Sequence, residues 1–234
     1  MPRLMLMSLA FATLLLPDAA MAQAKRYALE STAGLRLVDV VATPVTFQNK
    51  KGLRIELAPS AATTQPRPPL IVRLDDLEFS NGVIEAEIAG RPGSGAGEGA
   101  RGFVGIAFRV QPDNATYDAF YVRPTNGRAD DQERRNHATQ YISHPDWTWM
   151  RLRRETPSRY ESYVDLLPDT WTKIRIEVRG TQARLFVHDQ AQPTLVVNDV
   201  KTGADAKGGV ALWLEPGTVA HFRNLIVTPA NDAK

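Results

Sequence analysis

Residues 101–171 concentrate the side chains suited to recognising or transforming a ligand. Five of the six tyrosines fall there (Tyr117, Tyr121, Tyr141, Tyr160 and Tyr163), with three of the four tryptophans (Trp147, Trp149 and Trp171). Residues 101–160 hold ten arginines and no lysine, and His137 and His144 are two of the four histidines. Tyr and Trp present flat apolar faces with a polar tip. Arginine presents a rigid fork of donors that fits vicinal oxygens or a carboxylate. Together these suit a sugar ring, which has one apolar face and a rim of hydroxyls. Two stacking contacts of roughly 1–3 kcal/mol each, with arginine bonds of similar size, give about 4–8 kcal/mol and a dissociation constant of order mM to μM. The same residue types also mark protein interfaces. A partner-binding envelope domain and a non-catalytic binding module are therefore the alternatives to an enzyme.

Acid–base candidates are fewer. Glu85 and Glu87 sit at i and i+2, with Cα atoms about 6.8 Å apart on a strand. Glycoside hydrolysis uses carboxyl separations of about 5–9.5 Å, although such acids also decorate ordinary solvated strands. Glu161 with His137 or His144 forms a second acid–base set. No Gly-x-Ser-x-Gly nucleophile turn exists. No His-x-His or His-Glu-x-x-His spacing points to a metal. The chain has no cysteine, so disulfides, thiolate sites and a Cys nucleophile are excluded. No redox cofactor is expected, and a structural Ca²⁺ is left open.

Alternating strands must position these residues. Leu53/Ile55/Leu57, Ile84/Ala86/Ile88, Val104/Ile106/Phe108/Val110, Ile174/Ile176/Val178 and Val210/Leu212/Leu214 recur with period two. Asn81-Gly82, Asn126-Gly127, Lys207-Gly208-Gly209 and Pro216-Gly217 are among the turns that separate them. The expected fold is all-β, a two-sheet antiparallel sandwich of jelly-roll type. The polar stretch 128–138 is the best helix candidate. Residues 59–69 and the Gly-dense 90–102 read as loops, the latter lacking the Gly-Lys-Ser/Thr of a phosphate loop. Strand phase sends Val104, Ile106, Phe108, Phe120 and Val122 to the core. Phe103, Gly105, Ala107, Arg109, Tyr117, Ala119, Tyr121 and Arg123 face the other way, as do Glu161, Tyr163 and Asp165. The small residues among them predict a shallow trough with an aromatic, polar floor, and a single bulge would flip part of it. The candidate binding set is Arg109, Tyr117, Tyr121, Arg123, Asn126, Tyr141, His144, Trp147 and Tyr163. The candidate catalytic set is Glu85, Glu87, Glu161 and His137.

The N-terminus reads as a signal peptide over residues 1–22. Arg3 precedes an apolar run to Leu16, and Ala20-Met21-Ala22 forms a cleavage site before Gln23. The remaining residues 23–234 are expected to form one domain with a frayed C-terminal tail, exported to the periplasm or beyond. After signal removal no segment is long and apolar enough to span a membrane as a helix. A formal net charge of +2, with no isolated basic block, argues against nucleic acid. Asn114-Ala115-Thr116 fits a glycosylation acceptor.

Several segments carry a family resemblance. They are Phe79–Ile88, Gly102–Arg109, Tyr117–Pro124, Trp171–Val178, Gly209–Trp213 and Ala220–Val227. Together they resemble concanavalin A-like lectin/glucanase jelly rolls, and more narrowly exported bacterial domains of the 3-keto-disaccharide hydrolase type. The likeness spans about residues 35–228 and rests mostly on strand patterns. It implies a concave sheet that holds a saccharide and cleavage of a 3-keto-glycoside. Arg109, Tyr121 and Arg123 match recurrent Phe-Arg and Tyr-x-Arg-Pro positions, while no catalytic residue of the family transfers to this chain. The Glu-x-Asp-x-x-Glu strand of the glucanases is missing.

Overall fold

The computed structural model describes residues 23–61 and 70–230. The expected signal peptide and most of the 59–69 loop lie outside the described residues. Among the described residues fifteen strands form two antiparallel sheets. The larger, eight-stranded sheet runs β13 (Leu195–Val197), β12 (Gln182–Val187), β11 (Thr172–Arg179), β6 (Gly82–Pro92), β15 (Thr218–Pro229), β4 (Lys50–Leu57), β3 (Val40–Phe47), with β1 (Lys25–Tyr27) also on β15. The seven-stranded sheet runs β10 (Glu161–Ser162), β9 (Thr139–His144), β8 (Tyr117–Val122), β7 (Val104–Val110), β14 (Gly209–Leu214), β5 (Leu70–Leu74), β2 (Leu35–Val38). No helix among the described residues is long and apolar enough to cross a membrane.

The alternation read from the sequence is the alternation that builds the core. Ile84, Ala86 and Ile88 on β6 are buried with Ile106, Phe108, Phe120 and Leu212 of the facing sheet. A face of one sheet buried on another is what makes such strands stable in water. The polar stretch 128–138 holds α1 (Gln132–Asn136), opened by the Asp131 side chain accepting the Arg134 amide. A second short helix, α2 (Trp149–Glu155), has no sequence counterpart among the expectations. It lacks an apolar stripe, and its only buried residue is Leu152. The Gly-dense loop is shorter than expected, because β6 continues to Pro92. Strand β15 runs on to Pro229, which pairs with Gly82, and residues 231–234 of the expected tail lie outside the described residues.

Glu85 and Glu87 lie on β6, in the eight-stranded sheet, and turn away from the Tyr- and Arg-rich sheet. Glu87 is held by Lys50 at 3.0 Å and Asn224 at 2.8 Å, with Arg223 at 3.6 Å. Burial alone would raise its carboxyl, but these partners win and leave it below the usual range. Glu87 therefore belongs to a surface ion network, and both acids lie on the sheet opposite the Tyr- and Arg-rich one, which corrects their place as an acid–base pair at the saccharide face.

The outer face of the eight-stranded sheet has its own aromatic cluster. The His221 ring stacks on Phe47 at 4.0 Å and meets the edge of Trp171, and its buried Nδ1 has no hydrogen-bond partner. Burial, followed by repulsion from Arg54 and Arg91, pushes the imidazole down to about 4. The folded protein thus refuses a proton that the unfolded chain accepts near pH 6.5. His221 contributes stability above that value and loses it as pH falls toward 4. The expected loss is about 2 kcal/mol, after discounting for water screening at the cluster rim. Urea titrations at pH 7 and pH 4 should show this difference shrinking in His221→Phe; an unchanged pH dependence would refute the assignment.

Candidate functional site

The outer face of the seven-stranded sheet is built row by row. One row crosses it through Trp213, Gly105, Tyr121, Gln140 and Glu161, each the register partner of the next. The adjoining row holds Ala211, Ala107, Ala119 and Ile142. Tyr117 pairs with His144 beyond it. At the other end stand Phe103 and Glu215, joined by the bond from the Glu215 amide to the Phe103 carbonyl at 3.4 Å. The small side chains leave room above the sheet, and the rings of the same face occupy it. Trp213 stacks on Tyr121 at 4.6 Å and donates from Nε1 to the Tyr117 hydroxyl at 3.0 Å. Tyr117 stacks on His144 at 5.0 Å. Gly105 is required between them, since a Cβ there would lie 2.1 Å from the Phe120 carbonyl oxygen and 2.6 Å from Tyr121 Cα. The trough expected from the small residues is thus largely filled by its own aromatics. Tyr117, Tyr121 and Trp213 are each nearly fully buried. Burial raises the phenols of Tyr117 and Tyr121 above their ordinary range, so both hydroxyls stay neutral while accepting from Trp213 and Arg123.

Arg123 closes the row. Its guanidinium lies over the Tyr121 ring at 5.0 Å and the Phe103 ring at 5.7 Å. It donates to the Tyr121 hydroxyl and to Gln140 Oε1, each at 3.0 Å, and to the His137 carbonyl at 2.9 Å. Glu161 then meets three cationic or basic groups: Arg123 at 3.6 Å, His137 Nε2 at 3.2 Å and the Arg153 guanidinium through both oxygens. Burial, aided by Arg153 and Arg123, outweighs Glu161 and holds His137 below its usual value. At neutral pH the His137 contact is therefore not an ion pair. Glu161 is committed to anchoring α2 through Arg153, which also covers the Trp149 ring at 4.8 Å.

Trp149, Phe103 and Glu215 meet across a cleft of about 480 Å³ whose further wall is the Gly-rich loop 94–100. Trp149 is 36% exposed. Glu215 has neither an ion pair nor a side-chain hydrogen bond among the described residues. Burial raises its carboxyl, with Arg123 opposing. A carboxyl of this kind holds its proton at higher pH than a solvated one. Trp213 and Glu215 share a strand phase, and that was the available signal; they stood outside the 101–171 cluster, and Gln140 and Arg153 lacked any pattern that singled them out.

Other candidates lie elsewhere. Val110 pairs with Gly209 and Phe108 with Val210, so Arg109 is the extra residue of a β-bulge, at φ 55°. Gly208 accommodates it, because a Cβ there would come within 2.6 Å of the Arg109 carbonyl carbon. The bulge turns Arg109 off the trough and buries it completely. There it donates to the carbonyls of Ser80 at 3.0 Å, Gly203 at 2.7 Å and Gly180 at 2.8 Å. This corrects its expected place among ligand-binding residues. Tyr141 points to the opposite face from Tyr121, into the sandwich, where its hydroxyl donates to Asp118 Oδ1 at 2.6 Å. Trp147 packs under Arg151 at 3.8 Å and Lys201 at 4.4 Å, beside Tyr160 rather than on the trough. Tyr163 is 42% exposed and bonded to Arg135 at 2.9 Å. Asn126 is buried in the Pro124–Asn126 turn, donating to the His137 carbonyl at 3.2 Å, with Oδ1 unpaired. The structure thus brings together Tyr117, Tyr121, Arg123, His144, His137 and Glu161, and separates Arg109, Tyr141, Trp147, Tyr163, Glu85 and Glu87 from them.

No protein-family model matches the sequence, and no curated protein is significantly similar to it. Solved structures are similar in shape. The chain superposes on a Bacillus subtilis protein of unknown function with a galectin-like fold at TM-score 0.55 and 11% identity, covering 90% of this chain and 98% of that one. The fold is a galectin-like β-sandwich. The carbohydrate-binding module CBM66 from Bacillus subtilis superposes on this sandwich at TM-score 0.54 and 12% identity, over 83% of this chain and 95% of that one. At such identities the likeness concerns architecture alone.

Proposed function

We propose that this galectin-like sandwich is an exported saccharide-recognising domain whose ligand docks in the cleft between Phe103, Trp149 and Glu215. The convergence of two accessible aromatic rings and an unpartnered carboxyl on one cleft carries this reading. Rings supply apolar platforms and the carboxyl a hydrogen-bonding group for hydroxyls. The Tyr121–Trp213–Tyr117 layer adjoins the cleft through the edge contact of Tyr121 with Phe103 at 6.0 Å and holds that wall rigid, which limits the ordering cost of binding. The carbohydrate-binding module among the structures of similar shape is consistent with this reading. Trp149→Ala and Phe103→Ala should each weaken glycan binding about tenfold or more, measured by calorimetry against an oligosaccharide panel. Unchanged binding in both variants would remove the site, and a stable co-purifying protein with no glycan bound would favour the partner-binding alternative.

Glycoside cleavage, of the 3-keto-disaccharide type suggested by the sequence resemblance, is a second reading. The observation favouring it is Glu215, whose raised carboxyl is suited to donate a proton to a leaving oxygen. Export to the periplasm or medium rests on the Arg3–Ala22 pattern, and N-terminal sequencing of the mature protein should begin at Gln23.

A further inference from the structure

The loop 94–100 supplies one wall of the cleft, and Gly95, Gly97 and Gly99 are among the residues that line it. Glycine is needed where the backbone turns left-handed, or where another group comes too close for a Cβ. Gly102, at the end of the loop, satisfies both conditions. Its φ is 70°, and a Cβ there would lie 2.7 Å from Arg91 Cα. Gly95 satisfies the first, at φ 77°. Gly97 and Gly99 satisfy neither. They are absent from the left-handed region, and a Cβ on either would meet nothing within 4 Å. The folded chain would therefore accept alanine at both positions.

The loop is tied at its base and open between. The Gly93 amide donates to the Gly217 carbonyl at 2.8 Å, and the Ala100 amide to the Gly97 carbonyl at 2.9 Å. The amides of Gly95, Gly97 and Gly99 donate to no backbone carbonyl among the described residues. Two glycines that the chain itself does not require thus stand on a cleft wall, beside unused donors and across from the Phe103 and Trp149 rings. The remaining physical reason for a bare backbone is close approach to a ligand. We infer that Gly97 and Gly99 hold the saccharide directly, their amides donating to its hydroxyl or ring oxygens while the two aromatic rings cover its apolar face. The inference rests on the saccharide reading above and adds the polar half of that site. Backbone donors fix the orientation of a ligand in a pocket, and without a Cβ they can reach hydrogen-bond distance, about 2.9 Å. A loop engaged in this way is held closed for as long as the sugar stays.

The test uses the purified protein and a panel of neutral di- and trisaccharides of glucose, galactose, fructose and xylose. Calorimetry gives the affinity. A glutamyl endopeptidase, with mass spectrometry, reads the loop through cleavage after the exposed Glu98. Saturating sugar should slow that cleavage about tenfold, because the protease cuts only the open population of the loop. Gly97→Ala combined with Gly99→Ala should weaken binding about tenfold, since two methyl groups then stand between the amides and the sugar. The urea midpoint of the double variant should equal or exceed that of the wild type, because alanine fits both sites and narrows the unfolded ensemble. Sugar that binds while cleavage at Glu98 is unchanged, or that binds the double variant as tightly as the wild type, would overturn the inference and leave saccharide recognition standing. A lowered midpoint would also overturn it, since the glycines would then serve the fold. No binding at sugar concentrations of about 10 mM would overturn both readings.

Discussion

Arg109→Met unfolds at a lower urea concentration than the wild type, with a loss of about 3–5 kcal/mol. The expectation follows from the bulge. Arg109 is fully buried and donates to three carbonyls contributed by three separate loops, at Ser80, Gly180 and Gly203. Burial lowers its guanidinium, while the neighbouring Asp118 carboxylate pulls the other way. Asp118 is itself raised by burial, against hydrogen bonds from Thr202, Tyr141 and Ser143 and the charge of Arg109. Methionine fills the volume of the side chain and satisfies none of the carbonyls. It also removes the positive charge that opposes the burial penalty on the Asp118 carboxyl, so that carboxyl is pushed further toward its protonated form. Asp118→Asn in the same background should recover part of the loss, because it removes a carboxyl whose ionised form burial disfavours. Glycan binding by the folded fraction should not change. A stability loss below about 1 kcal/mol, or binding lost while the fold persists, would return Arg109 to the ligand site.

Glu215→Gln is the second large effect. If the cleft cleaves a glycoside, the Glu215 proton is the one available beside Phe103 and Trp149, and its removal should lower kcat by about 10²–10⁴-fold. Glutamine keeps the shape and the hydrogen-bonding capacity, so the dissociation constant should move little. The pH profile carries independent information. A general acid with a raised pKa works while protonated, so activity should hold at low pH and fall as pH rises through that value, a limb absent from the variant. Turnover is assayed on 3-keto-disaccharides and plain disaccharides. Wild-type protein that binds a glycan but turns over neither substrate would leave a binding module. Full activity in Glu215→Gln would move the acid elsewhere.

The two sets of candidate residues fared differently for physical reasons. The alternation over Val104–Val110 and Tyr117–Val122 correctly separates Phe108 and Phe120 from Tyr117 and Tyr121, because side chains on a regular strand must point alternately up and down. It fails at Arg109, where one extra residue resets the phase. A bulge depends on what the partner strand can accommodate, here Gly208, which is 99 positions further along the chain. Tyr141 fails for a related reason. Its residue type alone marks it as a binding candidate, and its pairing with Phe120 sends it inward.

Glu85 and Glu87 show a different limit. Their spacing was legible, but spacing does not say which sheet a strand joins. β6 pairs with β11 and β15 and so carries both acids to the far side of the sandwich. Glu215 is the converse case. It shares the phase of Trp213, yet its lack of an ion-pair partner among the described residues and its position on the cleft exist only once the 94–100 loop and α2 are folded against it.

The sequence by itself determined the all-β, two-sheet class and the polarity that collects Tyr117, Tyr121 and Arg123 on one face. Both follow from local period-two chemistry that any short segment carries. Tertiary structure decided which residues share the cleft, which arginine becomes a buried brace, and which carboxyl is left without a partner. Those outcomes depend on pairings and burial between residues far apart in the chain, where the free energy of a charge is set by its surroundings rather than by its neighbours in sequence.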